Sequence, residues 1–240
     1  MQEDLKLFQK ISEKLLNSEQ NKGVVEPISP QKLFNTFNLD LDDEALPKSE
    51  FEQLLTDVVL NTPRTSTKLF FNQLFGGRNP KGTLGELLAV MLNNSMYTYK
   101  VGGPQVGIEK NIIKKVCQMI GYGDQADGTF PPGGSMSNFM GMLMARDRKN
   151  RAIKQEGVSQ KLIIYTSEAS HYSITKNASF GGIGVGQIRR VKTNQFGQMD
   201  VSHLQELIHQ DKANNLEPFF VNATAGTTVL GAFDDIKAIH

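Results

Sequence analysis

The stretch Thr129 to Arg146, T-F-P-P-G-G-S-M-S-N-F-M-G-M-L-M-A-R, holds the residue types best suited to chemistry. Two prolines and two glycines make a turn that is first stiff and then flexible. Ser135, Ser137 and Asn138 follow, and a Met- and Leu-rich run at helical spacing begins. A loop feeding a helix in this way presents unpaired N–H groups and the positive end of the helix dipole, a setting that favours an anion. Glycine lets the backbone approach closely, and the serines add hydroxyl donors. A phosphate suits such a place. On this stretch alone an ordinary capped helix after a Pro-Gly turn explains the residues more simply. Two further polar segments change the balance: Thr166 to His171, with its single histidine, and Ala223 to Thr228.

These segments need elements to hold them. Leu5, Phe8, Ile11, Leu15 and Leu16 form one stripe of a helix over 3–18. A second helix starts near Pro30, and 38–47 reads as an acidic loop. Ser49 and Glu52 form a capping box that opens a helix to about Leu60, stopped by Asn61-Thr62-Pro63. Leu69 to Gly77 (L-F-F-N-Q-L-F-G-G) reads either as core with two satisfied amides or as an aromatic-walled pocket read by Asn72 and Gln73. Helices are expected over 84–94, 106–120 and 134–150.

From there strand and helix alternate. Lys161 to Thr166 is a buried-type strand, and a helix follows His171 to about Ser179. The glycine cluster at 181–186 fails the G-x-G-x-x-G pattern and follows a helix, so it reads as a helix-to-strand turn. Gln187 to Lys192 is a strand, Asp200 caps a helix over 202–210, Glu217 to Asn222 is a strand, and Asp234-Asp235 begins one more helix. The alternation predicts an α/β fold with a mostly parallel, doubly wound sheet. Ligands of such sheets sit beyond the carboxyl ends of the strands, where the three polar loops converge.

Composition narrows the class. The chain is 39% apolar and 21% charged, with a net charge of +1. It therefore offers no electrostatic case for nucleic acid or an anionic membrane. One cysteine, Cys117, excludes an intrachain disulfide and points to a reducing compartment. No apolar run approaches bilayer-spanning length, and the acid-bearing N-terminus is no signal peptide. A soluble, cytoplasmic protein is the expectation. The sequence stops at His240 about one turn into a helix, from which a piece of a longer protein is expected.

Five segments occur together and in register: F-F-N-Q-L-F at 70–75, N-N-S-M-Y-T-Y at 93–99, G-G-S-M-S-N at 133–138, T-S-E-A-S-H-Y-S-I at 166–174 and V-N-A-T-A-G-T-T-V-L-G-A-F-D at 221–234. They resemble the pyridoxal-phosphate-dependent amino-acid decarboxylases, above all the glutamate and cysteine sulfinate branch. The resemblance covers residues 24–240 and implies the aspartate-aminotransferase-like type I fold, incomplete at its C-terminus. It also implies a homodimer with active sites at the subunit interface. The division implied is a helical segment over 1–66, packed on the core or on a partner subunit, and the N-terminal part of the large cofactor domain over 67–240.

The resemblance also assigns roles. Gly134, Ser135, Met136 and Ser137 match the loop that holds the phosphate of pyridoxal 5'-phosphate. His171 matches the histidine stacked on the pyridine ring and is the expected catalytic residue. Thr228 matches a threonine at the ring side, with Thr227 beside it. Gln73, Leu74 and Phe75 match the segment that meets the substrate side chain. The activity implied is decarboxylation of a small acidic L-amino acid (glutamate, aspartate or cysteine sulfinate) to the amine and CO2, with no metal.

Departures accompany the likeness. The family's cofactor-bearing lysine lies in a motif like N-P-H-K, and its ring-nitrogen aspartate in one like H-V-D-A-A; neither motif occurs here. Lys176 matches no such motif. Lys100 stands where an acid is usual, and Thr67-Lys68-Leu69 replaces His-Pro-Arg. Phe75 stands where glutamate enzymes often carry Ser, a slight lean toward cysteine sulfinate or aspartate. The alternative is a non-catalytic, truncated relative that serves as a subunit or interaction partner. Other type I enzymes, such as aminotransferases or desulfurases, are disfavoured by A-T-A-G-T-T with G-A-F-D.

Overall fold

The computed structural model of the chain describes residues 1–40 and 43–240, so positions 41 and 42 of the expected acidic loop lie outside the described residues. The chain divides into two compact units, Met1–Ser95 and Met96–His240.

The first unit is helical: α1 (Gln2–Asn21), α2 (Pro30–Thr36), α3 (Lys48–Asn61) and α4 (Pro80–Leu92). Helix α1 packs on α3 and buries Ile11 from its apolar stripe. Arg64 closes the end of this pair: its Nε donates to the Gly23 carbonyl at 2.9 Å and its Nη1 to the Leu60 carbonyl at 2.7 Å.

Two expectations are corrected in this unit. The capping box does not form. Helix α3 starts at Lys48 with Pro47 as its N-cap and no side-chain cap, so Ser49 lies inside the first turn. Pro47 at ψ 144° supplies the extended residue before the helix two positions earlier than Ser49 would. The buried-core reading of Leu69 to Gly77 also fails, because only Phe70 in that segment is less than exposed. Asn72 instead closes a local turn, its Oδ1 accepting from the Leu74 amide at 2.8 Å. Phe70 and Phe75 meet edge to face at 5.6 Å.

The second unit holds α5 (Tyr99–Gly102), α6 (Pro104–Ile120), α7 (Gly134–Lys149), α8 (Ile153–Glu156), β1 (Leu162–Ser167), α9 (Ser173–Phe180), β2 (Ile188–Val191), α10 (Val201–Ala213), β3 (Glu217–Asn222) and α11 (Ile236–Ile239). The strands form a parallel sheet in the order β2-β1-β3. As a strand with both faces covered, β1 is buried at every position. Its even-numbered residues Leu162 and Ile164 pack with Met142 of α7 and with Ile174 and Ala178 of α9. Its odd-numbered residues Ile163 and Tyr165 pack with Leu204 of α10, Val191 and Met199. Helices therefore cover both faces, and the sheet is doubly wound as the alternation predicts. The β1–β3 register shifts between Ile163 and Ile164, opposite Pro218 and Phe220. Phe219 is the extra residue, and Phe219 and Phe220 both pack toward the α7–α9 cluster.

Gly182 and Gly184 take positive φ values of 71° and 93° in the α9–β2 connection, the helix-to-strand turn expected of that glycine cluster. Among the described residues, no helix is long and apolar enough to cross a membrane.

Candidate functional site

At the carboxyl ends of β1 and β3 the chain places two loops, and the N-terminus of α7 is tied to the helix that follows the first of them. Gly133 takes φ 100°, a conformation open to glycine, and lets the chain enter α7 at Gly134. The amides of Met136 and Ser137 turn back onto the Gly133 carbonyl at 3.1 and 3.2 Å. The amides of Gly134 and Ser135 precede the first intrahelical acceptor, as the opening amides of any helix do. Ser135, Met136 and Ser137 are exposed. A Cβ built on Gly133 or Gly134 would meet no heavy atom within 4 Å.

His171 sits between β1 and α9, half-buried. A chain of hydroxyl bonds shapes the loop that carries it. Asn222 Nδ2 donates to Thr166 Oγ1 at 3.2 Å. The Thr166 hydroxyl donates to Ser170 Oγ at 2.6 Å, and the Ser170 hydroxyl donates to the Ser167 carbonyl at 2.8 Å. The imidazole is held as well: Nδ1 accepts from the Ser173 amide at 3.2 Å, which in the neutral ring leaves the proton on Nε2. Tyr172 lies against the histidine ring at 4.2 Å, and Lys176 Nζ sits 4.6 Å over the Tyr172 ring.

The loop after β3 closes on itself. Ala225 and Phe233 form an antiparallel bridge. The buried Asp234 carboxylate accepts from the Thr224 amide and the Met199 amide, each at 2.7 Å. Thr227 is buried, and its Oγ1 accepts from the Ala232 amide at 3.0 Å. Its neighbour Thr228 is exposed. Of the two threonines, one braces the loop and the other faces outward.

Gln73, Leu74 and Phe75 belong to the first unit, where all three are exposed. A hollow of about 670 Å³ beside α7 and α8, lined by Met140, Met144, Arg148 and Lys154 among others, contains none of the loop residues. Among the described residues no cluster of histidine, cysteine and carboxylate side chains could hold a metal. Sequence reasoning named Thr166, Ser170, Asn222, Asn138 and Asp234 without the hydrogen-bonding roles found here, and it did not single out Asn177. All lie in or beside the quoted motifs, and the available signal was their polarity at strand ends and first helical turns.

A parallel sheet covered by helices on both faces defines the doubly wound α/β class, whose ligands sit at the carboxyl ends of the strands. The chain belongs to the pyridoxal-dependent decarboxylase family, whose conserved domain matches residues 30–240. It is 38% identical over 224 residues to the acidic amino acid decarboxylase GADL1 of Xenopus tropicalis, covering 92% of this chain and 44% of that protein. It is 36% identical over 227 residues to the cysteine sulfinic acid decarboxylase of Mus musculus, covering 94% of this chain and 46% of that protein. The crystal structure of mouse CSAD superposes with a TM-score of 0.94 at 33% identity, over 100% of this chain and 52% of that one. The chain spans about half the length of these relatives. The type I fold implied by the motifs is the fold observed, and the cofactor of the family is pyridoxal phosphate.

The residues present fit that group. Two opening amides and the exposed Ser135 hydroxyl make a donor set for a phosphate, with the Ser137 hydroxyl turned onto the Gly133 carbonyl at 3.4 Å and no carboxylate in the sequence from Gly133 to Ser137.

Proposed function

We propose that this chain supplies the phosphate-holding and ring-stacking part of a decarboxylase that converts a small acidic L-amino acid to its amine and CO2. The observation that carries the reading is the N-terminus of α7, with the Gly134 and Ser135 amides and the exposed Ser135 hydroxyl, bonded to the helix that follows His171.

Pyridoxal phosphate, when bound, supplies an electron sink for the pair released as CO2 leaves. The remaining work falls to the chain. Gly134, Ser135, Met136 and Ser137 hold the phosphate and so fix one end of the ligand. His171 offers a ring face for stacking, and its Nδ1 bond to the Ser173 amide keeps that face from rotating. Thr228 contacts the ring side, and Thr227 holds the loop that presents it. Gln73, with Leu74 and Phe75, reads the substrate side chain. Fixing the plane lets the breaking bond stand perpendicular to it, which is an orientational contribution to rate. A lysine-bearing portion with the missing N-P-H-K and H-V-D-A-A features completes the site, in a homodimer. The acidic preference is supported by the two relatives above, an acidic amino acid decarboxylase and a cysteine sulfinic acid decarboxylase.

The test is CO2 release from a panel of amino acids by the complete protein, with intact mass measured after adding pyridoxal phosphate. One covalently attached cofactor and turnover of aspartate, glutamate or cysteine sulfinate are expected. Preference for aromatic amino acids would overturn the substrate class. Cofactor attachment without CO2 release from any amino acid would favour a non-catalytic subunit.

A further inference from the structure

Helices α7 and α9 are joined where both begin. Asn177 Nδ2 donates to the Ser135 carbonyl at 3.1 Å. Asn138 Nδ2 donates to Ser173 Oγ at 3.0 Å. The amide of the same Ser173 holds His171 Nδ1. Asn177 is 4% exposed and Ser173 1%. A buried amide side chain is costly to desolvate unless it is hydrogen-bonded, so these contacts persist in the folded state.

The place of the Asn177 bond matters. Ser135 follows Gly133 and Gly134, and a glycine pair gives the chain entering α7 wide conformational freedom. Helix ends also fray more readily than helix interiors. Ser135 is nevertheless the residue whose own amide and hydroxyl belong to the phosphate donor set. Holding its carbonyl from a neighbouring, packed helix fixes that residue before any ligand arrives. Further along, Arg146 Nη1 donates to the Gly181 carbonyl at 2.8 Å and Phe139 meets Phe180 edge to face at 6.4 Å, so the two helices stay in register over their length. Within this joint only Asn177 bonds the phosphate segment itself.

We infer that Asn177 is a positioning residue: it preorganises the phosphate donors of Ser135 from α9, and through the shared helix start it sets them in fixed relation to His171. The inference rests on the reading of 134–137 as the phosphate segment. Asn177 itself touches no ligand. Its removal weakens binding by letting the donors move, and the loss falls on the phosphate alone.

The experiment compares dissociation constants for pyridoxal phosphate and for unphosphorylated pyridoxal in the apo form of the complete protein. Wild type is measured beside Asn177→Ala and the uncharged, similarly sized Asn177→Leu, which removes the donor without leaving a cavity or adding a charge near the phosphate. Both variants are expected to lose about fivefold in affinity for pyridoxal phosphate, as for one lost hydrogen bond, with pyridoxal binding changed less than about twofold. The 31P resonance of the bound cofactor is expected to shift or broaden. Equal losses on both ligands, or no loss on either, would overturn the positioning role. A wild type that binds both ligands equally would overturn the phosphate segment itself, and one that binds neither would overturn the decarboxylase reading; the inference falls with either.

Discussion

The hydroxyl of Tyr165, at the centre of β1, donates to the Asp211 carboxylate at the end of α10 over 2.7 Å, and both residues are buried. Arg189 of β2 closes on the same carboxylate, with Nη2 at 2.7 Å and Nε at 3.0 Å. Two strands and the covering helix are thus fastened at one buried carboxylate, on the opposite face of the sheet from Thr166. Removing the shared acceptor leaves a phenol and a guanidinium without their partner. Asp211→Ala is expected to cost about 3 kcal/mol of stability, read by urea denaturation.

The same contact sets an alkaline limit. Burial, and then the hydrogen bond to Asp211, push the Tyr165 phenol well above its ordinary value near 10. The folded state therefore keeps a proton that the unfolded state releases at high pH. Stability from this group is intact below about pH 10 and falls as pH rises further, because the native state binds more protons there. Denaturation midpoints measured from pH 8 to 11 should drop above pH 10. Tyr165→Phe, though less stable at pH 8, should show a shallower drop; an unchanged slope would remove Tyr165 as the cause.

Asp234 holds the loop after β3 through two backbone amides, those of Thr224 and Met199. Asp234→Ala leaves both donors without that acceptor. A loss of about 2 to 3 kcal/mol is expected, together with faster amide exchange at Thr224 and Met199. The exchange readout separates loop opening from global unfolding.

His171→Ala in the complete protein should cut decarboxylation by about a hundredfold or more, the scale of lost orientation, with an unchanged far-ultraviolet circular dichroism spectrum. Turnover close to wild type would remove the stacking role.

Gln73→Ala should alter the choice among glutamate, aspartate and cysteine sulfinate more than it alters cofactor affinity. The measurement is kcat/KM on each substrate beside the dissociation constant for pyridoxal phosphate. Equal losses on all three substrates would remove Gln73 as a specificity residue.

Much of the fold was legible from local patterns. The strand over 217–222 is found as read, Asp200 caps α10 through the His203 amide, and Gly121 ends α6 in a left-handed conformation. These features depend on side-chain periodicity and on hydrogen bonds spanning three or four residues, and both are written in the sequence itself. The family likeness was legible for the same reason, because its motifs are contiguous words. Local rules failed where two of them competed: Pro47 overrode Ser49 as the start of α3.

Tertiary structure decided what no local rule reaches. The bond from Asn177 to Ser135 spans 42 residues, and that from Asn222 to Thr166 spans 56. Sequence spacing says nothing about such pairs, because sheet order and helix packing bring them together. The two threonines make the same point. Thr227 and Thr228 are identical neighbours in the chain, and only closure of the loop turns one onto the Ala232 amide and leaves the other exposed. The sequence by itself determined the polar loops, the strands that carry them and the family to which the chain belongs. The packing of α7 and α9 on one face of a parallel sheet decided which buried amides hold them still, since a hydrogen bond between distant residues exists only after the chain has paid the entropy of bringing them together.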